Sequence, residues 1–322
     1  MNILVTGGAG FIGSHACKAL AQAGYLPVTY DNLSRGHREA VKWGPLEVGD
    51  IADVSRVRDV LELHQPAAVM HFAAYAYVGE SVEIPLVYYR NNVAGSIALL
   101  QALIDFKPLP FVFSSTCATY GLPERIPIAE DHPQRPINPY GVSKLVVECM
   151  LADLGKARQL PWIALRYFNA GGSDPDNEIG ELHDPEPHLI PRILAAARSG
   201  TSIQIYGTDY DTPDGTCVRD YVHVSDIADA HVRALGHLMS GGESTALNLA
   251  NTKGYSVRDV IAAAERVCGR GISVELANRR PGDPPILVGS AERARALLGW
   301  TPARSELDIQ VSDAWKWILS QN

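Results

Sequence analysis

The chain opens on Ile3-Leu4-Val5-Thr6-Gly7-Gly8-Ala9-Gly10-Phe11-Ile12-Gly13, and no other stretch restricts its fold so strongly. Ile3 to Val5 is a short apolar run that reads as a buried parallel strand. Glycines follow at once, and an amphipathic helix begins near Phe11. Two glycine registers coexist: Gly8, Gly10 and Gly13 spell G-x-G-x-x-G, while Gly7, Gly10 and Gly13 spell G-x-x-G-x-x-G. In either register the missing side chains permit a tight turn and a close backbone approach to a pyrophosphate, whose charge faces the helix N-terminus. Placement directly between a strand and a helix is the context the motif requires.

A second strand, Leu26-Pro27-Val28-Thr29-Tyr30-Asp31, ends in a carboxylate 18 residues after Gly13. An acid there accepts hydrogen bonds from both adenosine ribose hydroxyls and repels a 2′-phosphate, which favours NAD over NADP. Arg35, just beyond Asn32 and Ser34, slightly blunts that preference. Strands and helices then alternate. A helix is expected over 53–64, a strand over 67–74 that runs into small residues, and a long helix within 84–104. A strand over 110–116 ends in hydroxyls, and a helix within 138–154 precedes a strand at 162–165. The pattern predicts an α/β fold: a Rossmann-type doubly wound parallel sheet with a smaller C-terminal α/β substrate domain. Ligands of such sheets sit at the carboxyl ends of the strands, where Asp31, Ala73, Ala74, Thr116 and Asn169 fall. Residues 170–220, rich in Pro, Asp and Gly, read as loops that build a substrate site. Residues 222–249 look like a return to the sheet.

Tyr140-Gly141-Val142-Ser143-Lys144 places a phenol and an ammonium four residues apart, on one face of the 138–154 helix. A tyrosine with its ordinary pKa of about 10 is a poor base. Lowering it to roughly 7 takes about 4 kcal/mol of preferential phenolate stabilisation, and a nearby fixed cation supplies part of it. The pair therefore reads as a proton-transfer device for a substrate hydroxyl.

The net charge of −8 argues against non-specific nucleic-acid binding. Five scattered cysteines without a C-x-x-C suggest reduced thiols and a cytoplasmic location. No apolar run approaches the ~20 residues a membrane span needs, and the N-terminus reads as strand and phosphate loop rather than a cleavable signal. His183, Asp184, Glu186 and His188 could be imagined around a metal, but two prolines break the spacing, and no metal is expected.

Beyond these local readings, the sequence resembles the UDP-glucose 4-epimerase family, a branch of the extended short-chain dehydrogenases/reductases. The resemblance runs nearly end to end. It rests on Thr6 to His15, Val78-Gly79-Glu80-Ser81, Phe113 to Gly121, Asn138 to Lys144, Leu165-Arg166-Tyr167-Phe168-Asn169, Asp214 to Tyr221 and Arg279-Arg280-Pro281-Gly282-Asp283. It implies that tightly held NAD takes a hydride from C4 of a nucleotide sugar. The Tyr140 phenolate takes the hydroxyl proton, the 4-keto sugar turns over while its UDP stays anchored, and the hydride returns to the other face. Lys144 would hold the phenolate and the nicotinamide ribose, and Thr116 would share the hydrogen bond to the 4-hydroxyl.

On the same resemblance, NAD would be held by Gly7, Gly10, Phe11, Ile12, Gly13, Asp31, Asn32, Asp50, Ile51, Phe72, Ala73, Ala74, Asn91, Thr116, Tyr140, Lys144 and Phe168. The UDP-sugar would be held by Thr116, Tyr140, Asn169, His188, Leu189, Tyr206, Arg219, Arg280, Asp283 and Leu287. Residues 1–169, with 221–249 returning, would form the NAD-binding domain, and 170–220 with 250–322 the UDP-sugar domain. The implied reaction is UDP-glucose/UDP-galactose interconversion. A UDP-xylose/UDP-arabinose 4-epimerase is the alternative, because the Ser114 to Gly121 and Gly207 to Tyr210 stretches also resemble pentose epimerases. Leu287 matches a gate whose bulk excludes N-acetyl sugars. A nucleotide-sugar 4,6-dehydratase would need an acid pair where Cys117 and Ala118 stand. Ala76 departs from the lysine that many family members carry. The helices at 84–104 and 142–154 are apolar on more than one face, and the resemblance implies that they pair across a two-fold axis, so a homodimer is expected.

Overall fold

The computed structural model describes residues 1–280 and 283–321. Its large sheet has seven strands in the order β10-β6-β5-β4-β1-β2-β3, all parallel. These are β1 (Asn2–Thr6), β2 (Leu26–Asp31), β3 (Leu46–Val48), β4 (Ala68–His71), β5 (Phe111–Thr116), β6 (Trp162–Tyr167) and β10 (Thr245–Leu249). β1, β4 and β5 are buried through nearly their whole length because helices cover both faces. The strand order reverses between β1 and β4, which opens a crevice at the carboxyl ends. Core side chains fill the layers on either side: Ile3, Val5, Met70 and Val112 in one, Leu4, Val69, Phe111 and Phe113 in the other.

A second sheet is built around β9 (Val218–His223). It pairs with β7 (Asn169–Gly171) and β13 (Ile286–Leu287) in parallel and with β11 (Gly254–Ser256) antiparallel. β8 (Ile203–Tyr206) and β12 (Val274–Ala277) form a separate parallel pair. Ile190, Ile193, Val260 and Val311 make the core beneath them.

Two local expectations change. Residues 170–220 are not only loops: they contain β7, the helix Leu189–Ser199, β8 and the start of β9. The long helix expected within 84–104 is interrupted. An α-turn at Pro85–Tyr88 leads into a π-helical stretch, Tyr89–Ala94, and α-helix resumes over Gly95–Phe106. The extra residue per turn accompanies the inward aim of Asn92, which is buried and bonds outside its own helix.

Candidate active site

The phosphate loop has the shape its glycines dictate. Gly7 sits at φ +73°, and a Cβ on it would lie 2.5 Å from the Ala73 nitrogen. A Cβ on Gly13 would lie 2.2 Å from the Gly7 carbonyl oxygen. Backbone therefore packs on backbone here, and the helix Phe11–Gln22 starts from Gly10 with its first N–H groups free of any side-chain cap. That is the cradle a dinucleotide pyrophosphate needs, so the residues present fit NAD. Gly7 carries the positive φ; Gly8 instead packs on Thr29, where a Cβ would meet Oγ1 at 2.9 Å.

Asp31 ends β2 beside this loop, accepting from Ala9 N at 3.0 Å and Leu33 N at 2.8 Å. Burial pushes its carboxyl up, and those two N–H groups oppose the rise. Asn32 reaches Asp50 at 2.9 Å, and Ile51 is buried next to it. Arg35 does not lean on Asp31. It is paired with Glu80 at 2.6 Å and lies over the Tyr75 and Tyr77 rings, 5.2 and 4.8 Å from their centroids. Tyr75 and Tyr77, the neighbours of Ala76, thus pack on an arginine from another segment. Phe72 stacks on His231, with Ala73 and Ala74 following it toward the loop. Asn91 donates one amide proton to Asn92 Oδ1 at 2.9 Å.

Tyr140 and Lys144 lie buried on the helix Pro139–Arg158, which Asn138 caps by accepting from Gly141 N at 2.8 Å. Thr116 ends β5. Its hydroxyl accepts from Ala118 N at 3.1 Å, capping the turn Cys117–Thr119, and it lies beside the Tyr140 phenol. The cap and the contact with the phenol coexist, because a hydroxyl both donates and accepts. Burial pushes Tyr140 up to about 12, and the neighbouring Thr116 hydroxyl opposes the rise. Lys144 donates to the Ser114 carbonyl at 2.7 Å, and burial lowers it to about 7 despite Glu148 one turn away. The expected acidification of Tyr140 by Lys144 is therefore not a property of the protein groups alone. Desolvation acts against both charged forms.

The residues expected to hold the UDP-sugar gather around β9. Asn169 donates to the Asp220 carbonyl at 2.9 Å. Arg219 is ion-paired with Asp283, which also accepts from Cys217 Sγ at 3.6 Å. Arg280 lies 4.1 Å over the Tyr206 ring. Leu287 is in register with Arg219 on the adjacent strand and, like Cys117, packs on the core cluster that holds Phe168. His188 is the N-cap position and Leu189 the first residue of the helix Leu189–Ser199. Among the groups weighed as metal ligands, His183, Glu186 and His188 do converge. Their fourth partner is Glu181 rather than Asp184.

Three features were not anticipated from sequence. Asn92 bonds the backbone of Tyr75 at N and O (both 2.9 Å) and Ser143 Oγ (3.0 Å), tying the loop after β4 to the catalytic helix. The isolated pair of asparagines among apolar neighbours was its signal. Glu148 and Arg166 form a buried ion pair (2.6 Å) that reaches Ser115, Gln134 and Tyr120. The third is Glu181, whose side chain is almost fully buried.

Residues 3–250 match the NAD dependent epimerase/dehydratase family. The chain belongs to that family. A UDP-glucose 4-epimerase of Rhizobium meliloti is 52% identical, with 100% of this chain and 98% of that protein aligned. The crystal structure of UDP-glucose 4-epimerase from Brucella ovis in complex with NAD superposes with a TM-score of 0.95. It is 52% identical, with 98% of this chain and 97% of that one covered. The UDP-Glc/GlcNAc 4-epimerase of Campylobacter jejuni superposes at TM-score 0.87 with 37% identity, covering 99% of each chain. Among the described residues, no helix is long and apolar enough to cross a membrane.

Proposed function

We propose that the protein interconverts UDP-glucose and UDP-galactose by reversible oxidation at C4 through a 4-keto sugar, with Tyr140 as the base and NAD held throughout. The docking of the helix that carries buried Tyr140 and Lys144 onto the carboxyl end of β5, through Lys144 and the Ser114 carbonyl, in the lobe that carries the glycine cradle, bears this reading. Identity of 52% along the whole chain with a UDP-glucose 4-epimerase supports the choice of sugar.

When bound, NAD supplies the reversible two-electron acceptor for C4 and, oxidised, a cationic ring that favours a nearby phenolate. The protein's own part is binding, orientation and proton transfer. Gly7 and Gly13 leave the pyrophosphate its space, and Asp31 would receive the ribose hydroxyls. Thr116 would donate to the Tyr140 oxygen as the phenolate forms, stabilising it and positioning it for the C4 hydroxyl proton. Lys144, fixed to the Ser114 carbonyl, presents its remaining protons to the same cleft. Arg219 with Asp283, Arg280 on Tyr206, and Asn169 would anchor the UDP while the sugar turns; a guanidinium suits a diphosphate. Elimination chemistry lacks its acid: Ala118 has none, and burial pushes the Cys117 thiol up to about 12.

Residues 1–169 and 221–249 would hold NAD, and 170–220 with 250–322 the UDP-sugar. The working form is a cytoplasmic homodimer serving galactose metabolism. An apolar face supports the second copy: Val82, Leu86, Val87 and Ile97 are all exposed on neighbouring helices.

One panel tests the reading. Incubate the purified protein with UDP-galactose, UDP-xylose and UDP-N-acetylgalactosamine, and resolve the products by chromatography. UDP-glucose from UDP-galactose, with no net change in free NADH, is the expected result. Turnover of UDP-xylose alone would overturn it.

A further inference from the structure

Glu181, His183, Glu186 and His188 lie on the connection between β7 and the helix Leu189–Ser199; of the four, only His188 is also expected to hold the UDP-sugar. The chain has no regular secondary structure through 181–183 and 186–188 and bends at Asp184–Pro185. The four donors converge although two prolines interrupt their spacing in the sequence.

The four donor groups meet closely. His183 Nδ1 lies 2.9 Å from Glu181 Oε1 and 3.6 Å from Glu186 Oε2. His188 Nδ1 lies 2.6 Å from the same Glu181 oxygen and 3.0 Å from Glu186 Oε1. All four ligand atoms fall within 4.8 Å of one another. A tetrahedral ion with bonds of ~2.0–2.1 Å needs donors about 3.3 Å apart. The four His–Glu edges straddle that value, and no donor pair lies farther apart than 4.8 Å.

We propose that Glu181, His183, Glu186 and His188 form a binding site for a borderline-soft divalent transition metal such as Zn2+. Two imidazoles with two carboxylates suit that class; Mg2+ and Ca2+ prefer oxygen-only sets. The Glu181 carboxylate is well buried, with 6% of its side chain exposed, and both imidazoles crowd onto one of its oxygens. A single dication would satisfy both carboxylates at once. The surroundings are those of a structural site: Phe11 and Tyr77 meet His183 edge-on at 6.4 and 5.5 Å, and Trp317 Nε1 donates to the Glu181 carbonyl at 3.1 Å. Phe11 opens the phosphate-loop helix, so an ion here would pin the 181–188 connection against the NAD-binding lobe. The site stands whether or not the chain acts on UDP-glucose.

The test uses the purified holoenzyme, dialysed first against a chelator. Titrate it with Co2+ and follow visible absorption, then compete with Zn2+; run Mg2+ in parallel. One equivalent per chain, micromolar affinity, the intense bands of four-coordinate Co2+ and displacement by Zn2+ are expected. Glu181→Gln and His183→Ala should each weaken binding at least 10-fold. Should either variant fail to fold, imidazole 15N spectra of the unaltered protein decide: Zn2+ should shift two of its ten histidines, with the change at Nδ1. No binding below about 100 µM, unchanged affinity in folded variants, or a shift confined to other histidines would each overturn the proposal.

Discussion

The Lys144 ammonium is hydrogen-bonded to the carbonyl oxygen of Ser114 at 2.7 Å, which fixes the lysine to the strand that ends in Thr116. Helix and strand are thereby locked at the point where Tyr140 and Thr116 meet. Tyr140→Phe removes the acid–base oxygen and keeps the ring packed. It should lower kcat at least ~100-fold, the usual scale for a positioned proton-transfer group. Binding of UDP, measured by calorimetry, should barely change. Near-normal turnover would remove Tyr140 from the role of base.

The phosphate loop carries a second expectation. Purified protein should release NAD on denaturation without any having been added. Gly13→Ala places a methyl 2.2 Å from the Gly7 carbonyl and must push the loop apart. That variant should purify without cofactor, as quantified from the denatured supernatant. Full NAD occupancy in it would contradict the cradle.

Three histidines make stability fall in acid. Burial lowers His15 and His231 to about 4 and His71 to about 3, from an ordinary 6.5. Between those values and 6.5 the unfolded chain binds protons that the folded chain refuses, so stability is present above 6.5 and is lost as pH falls. Each group contributes up to about 1.4 kcal/mol per pH unit within its window. The melting temperature should drop steeply between pH 6.5 and 4, and His71→Gln should make the drop shallower. A flat profile over that range would show that these imidazoles ionise in the fold.

As the proposed gate, Leu287 would set the room available to the turning sugar. Overpacking against such a wall costs ~1–3 kcal/mol, or roughly 10- to 200-fold in discrimination. Good kcat/KM for UDP-galactose and poor kcat/KM for UDP-N-acetylgalactosamine are expected, with Leu287→Ser narrowing the gap. Equal rates for both sugars in the unaltered protein would dismiss the gate.

Leu86 is 75% exposed and Ile97 51% exposed on neighbouring helical segments. If a second copy covers them, light scattering should give twice the chain mass at micromolar concentration. Leu86→Glu combined with Ile97→Glu should give the single mass. A monomer from the unaltered protein would end the dimer reading.

The parts of the site written as contiguous motifs were legible in the sequence. The glycine loop, Asp31 at a strand end, and Tyr140 with Lys144 at helical spacing each encode their geometry within a few residues. What stayed hidden depends on partners far along the chain. Arg35 reads locally as a cation near Asp31, but Glu80, 45 residues on, claims it. Glu148 and Arg166 sit in regular elements, and nothing local says that they face each other. The pKa of Tyr140 escaped for a similar reason: spacing reveals a nearby cation, whereas desolvation depends on everything packed around the ring. The π-helical stretch is a compromise between the helical preference of 85–106 and the pull of Asn92 toward Tyr75 and Ser143.

β13 is only two residues long, yet it places Leu287 beside Arg219 in a parallel register. The residue proposed to measure the sugar and the one proposed to grip its diphosphate are rungs of one ladder. A side-chain change at 287 alters the width of the chamber and leaves the backbone ladder in place. An insertion between Asp283 and Leu287 would slide the two out of step. On that reading, acceptance of a bulkier sugar is a single substitution away, whereas a different anchored nucleotide would require rebuilding the sheet. In a lineage that inherits this fold, sugar preference should drift freely while the nucleotide stays the same.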